Sequence, residues 1–314
     1  MTKKILTIGN AIVDILCKTD DAFLEKNGLV KNSMSLIDEA TAQQLSAEKS
    51  EKITSGGSAG NTAAALAQLG TKTIFIGKVG SDEFGKKFIN EIQKTGAEFF
   101  SHSDHHKPTA KSFVLITPDA QRTMCTFLGC ASEITESDIV ESGFKDASIL
   151  YLEGYLWDAP ATISALKKAI SFAKKNGVKV AFSLSDSFCV ARHKTDFLGL
   201  IKNDLDILFA NEAEALELAP NFSENKNLIA IVTKGENGCE VFSGGKSFVS
   251  PAQKIEKLVD TTGAGDAFAA GFLHGLVNEF SLEESAHFGN VVASKIIQKF
   301  GARFEAEELR NLRN

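Results

Sequence analysis

Short apolar runs alternate with longer amphipathic stretches through most of this chain, and several of the longer stretches stop at a glycine. The apolar runs at Ile5–Ile8, Thr73–Ile76, Ser148–Leu152, Val178–Leu184, Ile207–Ala210 and Leu228–Thr233 have the length of strands. The stretches Ala59–Leu69, Glu83–Thr95 and Ala161–Asn176 have the length of helices and are closed by Gly70, Gly96 and Gly177. Glycine adopts cheaply the left-handed conformation that ends a helix. Repeated strand, helix, glycine and strand is the pattern of an α/β protein on a mainly parallel sheet, with helices packed on it.

Two stretches break this rhythm. Residues 12–37 carry short strand-like runs, and Lys111–Thr117 is followed by Arg122–Leu128 across the turn Pro118-Asp119-Ala120-Gln121 with no helix between. They are expected to form a small β-sheet, as an insertion of 12–37 and 97–129 into a large domain made of 1–11, 38–96 and 130–314. No internal repeat or Pro-rich linker separates the parts.

Composition narrows the function. The 314 residues hold 34 Lys and Arg against 40 Asp and Glu, a net charge of −6, which argues against a general nucleic-acid binder. Cysteines at 17, 125, 130, 189 and 239 are odd in number and form no C-x-x-C pair, so neither a disulfide framework nor a structural zinc site is expected. No apolar run approaches the roughly 20 residues of a membrane span. A reducing cytoplasm is the expected location, with no membrane partner.

The strongest local signal is Asp260-Thr261-Thr262-Gly263-Ala264-Gly265-Asp266, followed by the helical stretch AFAAGFLHGLVNEF. Small residues at a helix start leave backbone N–H groups bare, which suits a phosphoryl oxyanion. A carboxylate beside such a nest would repel phosphate, and Asp266 reads either as a general base toward an attacking hydroxyl or as a helix-start acid favoured by the dipole. Asn211 and Glu214 follow the apolar run ILFA, at the carboxyl end of a strand where open α/β sheets bind ligands. They suit Mg²⁺ through water and phosphate, and equally a helix cap. Thr233-Lys234-Gly235, with Gly238, ends the next strand. Gly80–Lys87 lacks the hydroxyl of a Walker A loop, and Gly263-x-Gly265 is too near the C-terminus for a dinucleotide fingerprint. His102, His105 and His106 lack metal spacing and read as a loop.

With these pieces in order, the chain resembles the PfkB (ribokinase-like) carbohydrate kinases. Asp260–Asp266 is similar to that family's D-T-x-G-A-G-D, Gly56-Gly57-Ser58-Ala59-Gly60-Asn61 to its G-G-x-x-x-N, Gly77 to Gly85 to its G-x-V-G-x-D-x-x-G, and Asn211-x-x-Glu214 to its N-x-x-E. The resemblance implies a three-layer αβα ribokinase-like domain with a β-sheet lid, Mg-ATP as donor and an alcohol as acceptor. Within the family the details resemble bacterial adenosine kinases: Gly9-Asn10-Ala11-Ile12-Val13-Asp14, Leu208–Ala215, and the stretches RTMCTFLGCAS, YLEGYLWD and SDSFCVARH. Ala11 stands where those enzymes carry Pro, and Gly60 where animal ones carry a larger polar residue.

The implied reaction is phosphorylation of the adenosine 5′-hydroxyl, a fructokinase- or ribokinase-like sugar kinase being the alternative and a catalytically silent nucleotide-binding protein a more distant one. Asp266 would be the base and Gly263, Ala264 and Gly265 part of the anion nest. Asn10 and Asp14 would hold the sugar hydroxyls, a carboxylate being able to accept from two vicinal groups. Gly56 and Gly57 would let the backbone approach the sugar, and Asn61 would fix a third hydroxyl. Phe182 and Phe209 would stack a purine in a slot completed by Ile12, Met34, Leu36 and Met124. Arg122 in the lid would reach the transferring phosphates. Asn211, Thr233, Lys234, Gly235, Gly238 and Asn290 would line the ATP side, with Glu214 holding Mg²⁺ through water. By the same resemblance Gly301-Ala302-Arg303 closes a loop in which Asp260 and Thr262 would bind K⁺. A monomer or a homodimer is expected.

Overall fold

The computed structural model describes residues 4–31, 33–47, 49–100, 106–119, 121–219, 222, 225–305 and 307–312. His102 and His105 lie outside the described residues, as does Ala120 of the turn, and His106 is exposed. Fourteen strands form two sheets among the described residues. They are β1 (Lys4–Ile8), β2 (Ile12–Lys18), β3 (Met34–Leu36), β4 (Ser50–Ser55), β5 (Lys72–Ile76), β6 (Glu98–Phe100), β7 (Ala110–Ile116), β8 (Arg122–Phe127), β9 (Ala147–Glu153), β10 (Lys179–Ser183), β11 (Ile207–Asn211), β12 (Ile229–Thr233), β13 (Cys239–Ser243) and β14 (Lys246–Ser250). The helices are α1 (Asp21–Lys26), α2 (Glu39–Leu45), α3 (Ser58–Gln68), α4 (Glu83–Lys94), α5 (Pro160–Lys175), α6 (Ser187–Asn203), α7 (Glu212–Leu218), α8 (Ala264–Val277) and α9 (Leu282–Ile296).

The large sheet has the order β14-β13-β12-β11-β10-β9-β1-β5-β6. It is parallel from β6 to β12, and β13 and β14 continue it antiparallel. All six expected strands and three expected helices are present, their ends moved by at most one residue. Alternation along the strands divides the core. Ile5, Tyr151, Ile207 and Phe209 face the layer of α3, α4, α8 and α9. Leu6, Leu152, Phe182 and Leu208 face the layer of α5 to α7. This three-layer α/β arrangement is the ribokinase-like fold that the sequence implied.

Chain direction across the sheet reverses beside β1, because β5 and β6 lie on one side of it and β9 to β12 on the other. Loops after the carboxyl ends of strands part company at such a point and leave a crevice.

The smaller sheet, β3-β8-β7-β2-β4, carries its own apolar cluster around Ile15, Leu24, Ala42, Leu45, Phe113 and Cys125. Its extent differs from the expected insertions. Residues 39–55 belong with it, because α2 supplies Ala42 and Leu45 to its core and β4 pairs antiparallel with β2. Residues 98–100 belong to the large sheet, where β6 pairs with β5. A three-residue strand after Gly96 is too short to show its partner in sequence.

All five cysteines are buried, and none is in a disulfide. No helix among the described residues is long and apolar enough to cross a membrane.

Candidate active site

A cavity of about 350 Å³ opens at the crevice beside β1. Its floor is built from carboxyl ends of parallel strands: Asn10 after β1, Glu153 ending β9, Ser183 and Ser185 at β10, Asn211 ending β11 and Thr233 ending β12. The start of α8 closes one side with Thr261 to Asp266. The small sheet covers the other with Ile12, Asp14, Met34, Leu36, Met124 and Leu128. Leu36 is 50% exposed and Met124 36%, an unusual state for large apolar side chains facing a cavity.

Asp266 sits in the first turn of α8, behind Gly263, whose φ of +77° suits glycine. The first amides of a helix have no partner within it, so those of Gly265 and Asp266 face outward at this end. The Ala264 N–H instead donates to the Thr261 carbonyl at 3.1 Å, which removes one member from the expected nest. The Asp266 carboxylate accepts from Ser58 Oγ at 2.6 Å and from Asn61 Nδ2 at 2.9 Å. Burial raises its pKa against these two bonds and the Arg303 charge.

Asp14 lies on β2 over the glycine pair. Burial pushes its pKa up to about 7, opposed by Arg303 and assisted by Asp266. A Cβ at Gly56 would overlap the Asp14 carboxylate, and one at Gly57, whose φ is +80°, would overlap the Asn10 carbonyl. The glycines therefore make room for the cavity's own walls.

Sequence reasoning missed the residue that ties these loops together. Glu153, 1% exposed, accepts from the Asn10 N–H at 2.8 Å and from the Ala59 N–H at 2.7 Å. It joins the turn after β1 to the start of α3, and burial raises it to about 7. An acid ending the apolar run SILYLE was the available signal. Ser58 was also missed, as were Tyr155 and Asp158 at the cavity wall.

Other expected residues stand elsewhere. Phe182 is fully buried, edge-on to Trp157 and Phe197. It pairs with Leu208, whereas Phe209 pairs with Ser183, so register puts the two rings on opposite faces of the sheet. They cannot sandwich one base. Phe209 does line the cavity but also packs on Tyr151 and Phe272. Phe182→Ala is expected to cost about 3–5 kcal/mol of stability with acceptor KM unchanged, read by denaturant unfolding and steady-state kinetics.

Asn290 donates to the Ser250 and Pro251 carbonyls, each at 3.2 Å, and so pins the end of β14 rather than reaching the cavity. Lys234 is tied to Glu240 at 2.7 Å, and Gly235 and Gly238 shape the β12–β13 turn, leaving Thr233 as that segment's cavity residue. Glu214 and Asn211 form a reciprocal cap on α7 and both line the cavity. Burial raises Glu214 to about 7.

Arg122 reaches from β8 to the strand of residues before α8. Its Nη1 donates to Asp260 Oδ1 at 2.5 Å and to the Thr262 hydroxyl. Asp260 also accepts from the Thr262 and Gly301 N–H groups; these bonds overcome burial and hold it below the usual carboxylate range. The oxygens expected to bind K⁺ are thus engaged by a guanidinium, and this arrangement does not fit a monovalent cation there. Asp158, Cys189 and His193 also lie close enough to suggest a metal. The Asp158 carboxylate, however, accepts two bonds from Arg192, at 2.9 and 2.7 Å, and lies 2.8 Å from His193 Nε2. It is already neutralised by Arg192.

Four carboxyls whose pKa is raised by desolvation, Glu153 and Glu214 buried and Asp14 and Asp266 partly so, set a pH dependence. All four, Asp14, Glu153, Glu214 and Asp266, bind protons more tightly folded than unfolded, and the stability that the first three contribute is lost as pH rises toward and through about 7. His274, which burial lowers, acts in the opposite sense as a single group. The ligand-free protein is expected to melt at lower temperature at pH 8 than at pH 5.5. A flat or rising Tm by calorimetry would contradict this.

Relatives place the geometry. The adenosine kinase of Sinorhizobium meliloti superposes with a TM-score of 0.92 at 38% identity, covering 100% of this chain and 99% of that one. A probable sugar kinase from Rhizobium etli superposes with a TM-score of 0.90, also at 38% identity, over 99% and 98% of the two chains. The adenosine kinase of Saccharomyces cerevisiae is 28% identical over 98% of this chain and 99% of its own. The model of the pfkB family carbohydrate kinases matches residues 21–309, and the chain belongs to that family.

Proposed function

We propose that this kinase transfers the γ-phosphoryl group of ATP to the 5′-hydroxyl of adenosine, giving AMP and ADP. The observation that carries the reading is the wall formed by Ile12, Met34, Leu36, Met124 and Leu128 beside Asp14. A carboxylate that accepts from vicinal hydroxyls would suit any sugar. The adjoining apolar wall suits the flat base of a nucleoside, whose burial would cover Leu36 and Met124.

In this reading Asp14 and Asn10 hold the ribose, and the Gly56-Gly57 backbone lies against it. The 5′-oxygen faces Asp266, which takes the hydroxyl proton as the oxygen–phosphorus bond forms and the bond to the ADP oxygen breaks. The helix-start amides of Gly265 and Asp266 face the charge on the transferring oxygens. Glu214, which lines the cavity while capping α7 with Asn211, would hold hydrated Mg²⁺ through water, and the ion when bound would neutralise phosphate charge. Asp158, Tyr155 and Thr233 complete the donor side. Cover by the small sheet would exclude water and suppress hydrolysis of ATP.

A fructokinase- or ribokinase-like activity is the second reading. It is favoured by the burial of Phe182, which leaves no aromatic sandwich for a purine, and by the likeness to a probable sugar kinase. Phosphorus NMR of a reaction containing Mg-ATP and adenosine is expected to show AMP and ADP in equal amounts, and no product with 5′-deoxyadenosine. Release of inorganic phosphate instead would count against the transfer.

A further inference from the structure

Arg303, expected from the sequence only to close the loop after α9, stands at the heart of the site. Arg303 enters from the loop after α9 and runs under α3. Its Nε–H donates to Asn61 Oδ1 at 2.7 Å, and its Nη2 donates to the Gly56 carbonyl at 3.2 Å. Asn61 turns its other end to Asp266, with Nδ2 donating at 2.9 Å. The carboxylate accepts and so favours the NH₂ end of the amide, and a donor to Oδ1 holds the amide in that orientation from the other side. Arg303 supplies that contact.

The space for the guanidinium is made by Gly60. A Cβ there would stand 3.2 Å from Arg303 Nη2, tighter than ordinary contact. The Nη1 end is shut away from solvent with no hydrogen-bond partner among the described residues. Burial lowers the Arg303 pKa to about 10, with Asp14, Glu91 and Asp266 raising it in turn, and the side chain remains charged at neutral pH.

We propose that Arg303 is a positioning residue for phosphoryl transfer: it orients Asn61 on Asp266, braces the Gly56 backbone, and places a positive charge beside the two carboxylates of the acceptor site. The inference rests on the reading of Asp266 as the base. The charged and titratable groups facing Asp266 and Asp14 are Arg303, each other, Glu153, Tyr151 and Tyr155. Arg303 is the cation among them. Without it, both carboxylates would take up protons at higher pH.

The test compares pH profiles of acceptor-dependent ADP release for the wild type, Arg303→Met, Arg303→Lys and Asp266→Asn, with folding checked by circular dichroism and Tm. The Met variant is expected to lose about 10²-fold in kcat at pH 7, as for a misplaced catalytic group. Its acidic limb should move up by about one pH unit. The Lys variant keeps the charge but not the fork, so its limb should stay in place while kcat falls about 10-fold. A folded Met variant whose limb does not move overturns the proposal, whatever its kcat. Should the Met variant not fold, a Lys variant with wild-type kcat overturns it equally. If Asp266→Asn keeps wild-type turnover, it is the base assignment that has failed.

Discussion

Replacing Asp266 by asparagine is expected to lower kcat for acceptor phosphorylation by about 10²–10⁴-fold with little change in the KM of either substrate, the range general-base removal produces. The substitution keeps shape and leaves an amide between Ser58 and Asn61, where the carboxylate accepted from both. Asparagine can accept on its oxygen but cannot take a proton, and its NH₂ would face one of the two donors. Loss of the carboxyl also removes a group that ionises at a cost, so the variant is expected to melt at or above the wild-type temperature at pH 8. A fall in kcat without a fall in Tm separates a chemical role from a helix-start acid, whose removal would lower stability and leave turnover alone.

The glycine pair gives the second large effect, and its two members should differ. A methyl at Gly56 would meet only the far end of the Asp14 side chain, which can swing away. Gly56→Ala is therefore expected to fold normally. It would displace the carboxylate that holds the acceptor, raising acceptor KM by about 10–10²-fold, the worth of a charged hydrogen bond. Gly57→Ala meets the Asn10 carbonyl, which is backbone, at a φ of +80° that disfavours any side chain. It is expected to cost at least about 1–3 kcal/mol of stability, and the loss should appear in unfolding before it appears in kinetics. Equal Tm losses in the two variants would show that Asp14 is not the mobile partner.

Much of this site was legible in the sequence because its signals are local. The turn before α8 shows as glycines and small residues at a helix start, and Gly56-Gly57 sits directly before α3. Asn211 and Glu214 follow a strand-length apolar run, and the structure brings them, Gly57 and the turn before α8 to one crevice. What was not legible depends on register and on distant pairing. Phe182 and Phe209 look alike in sequence, and only the pairing of β10 with β11 assigns them to opposite faces. Asn290 looks like a free helix amide until the end of β14 arrives to accept its bonds. Arg303 and Asn61 are 242 residues apart, and nothing in the run GAR announces the contact. Arg122 pointed toward phosphate chemistry, yet a partner 138 residues away claims its guanidinium.

The boundaries of the small sheet illustrate the same limit. Polar strand β4 carries no alternation of its own, with Glu51 and Lys52 exposed, and gains its place by pairing with β2. Short edge strands are specified by their neighbours more than by their residues.

The most direct measurement is ADP release from Mg-ATP by the purified protein against adenosine, inosine, guanosine, ribose, fructose and no acceptor. Turnover is expected with adenosine at micromolar concentration, with little for the free sugars and none without acceptor. Turnover with a free sugar and not with adenosine would contradict it, leaving Asp266 and the helix-start amides in their roles while removing the nucleoside from the apolar wall of Met34, Leu36 and Met124.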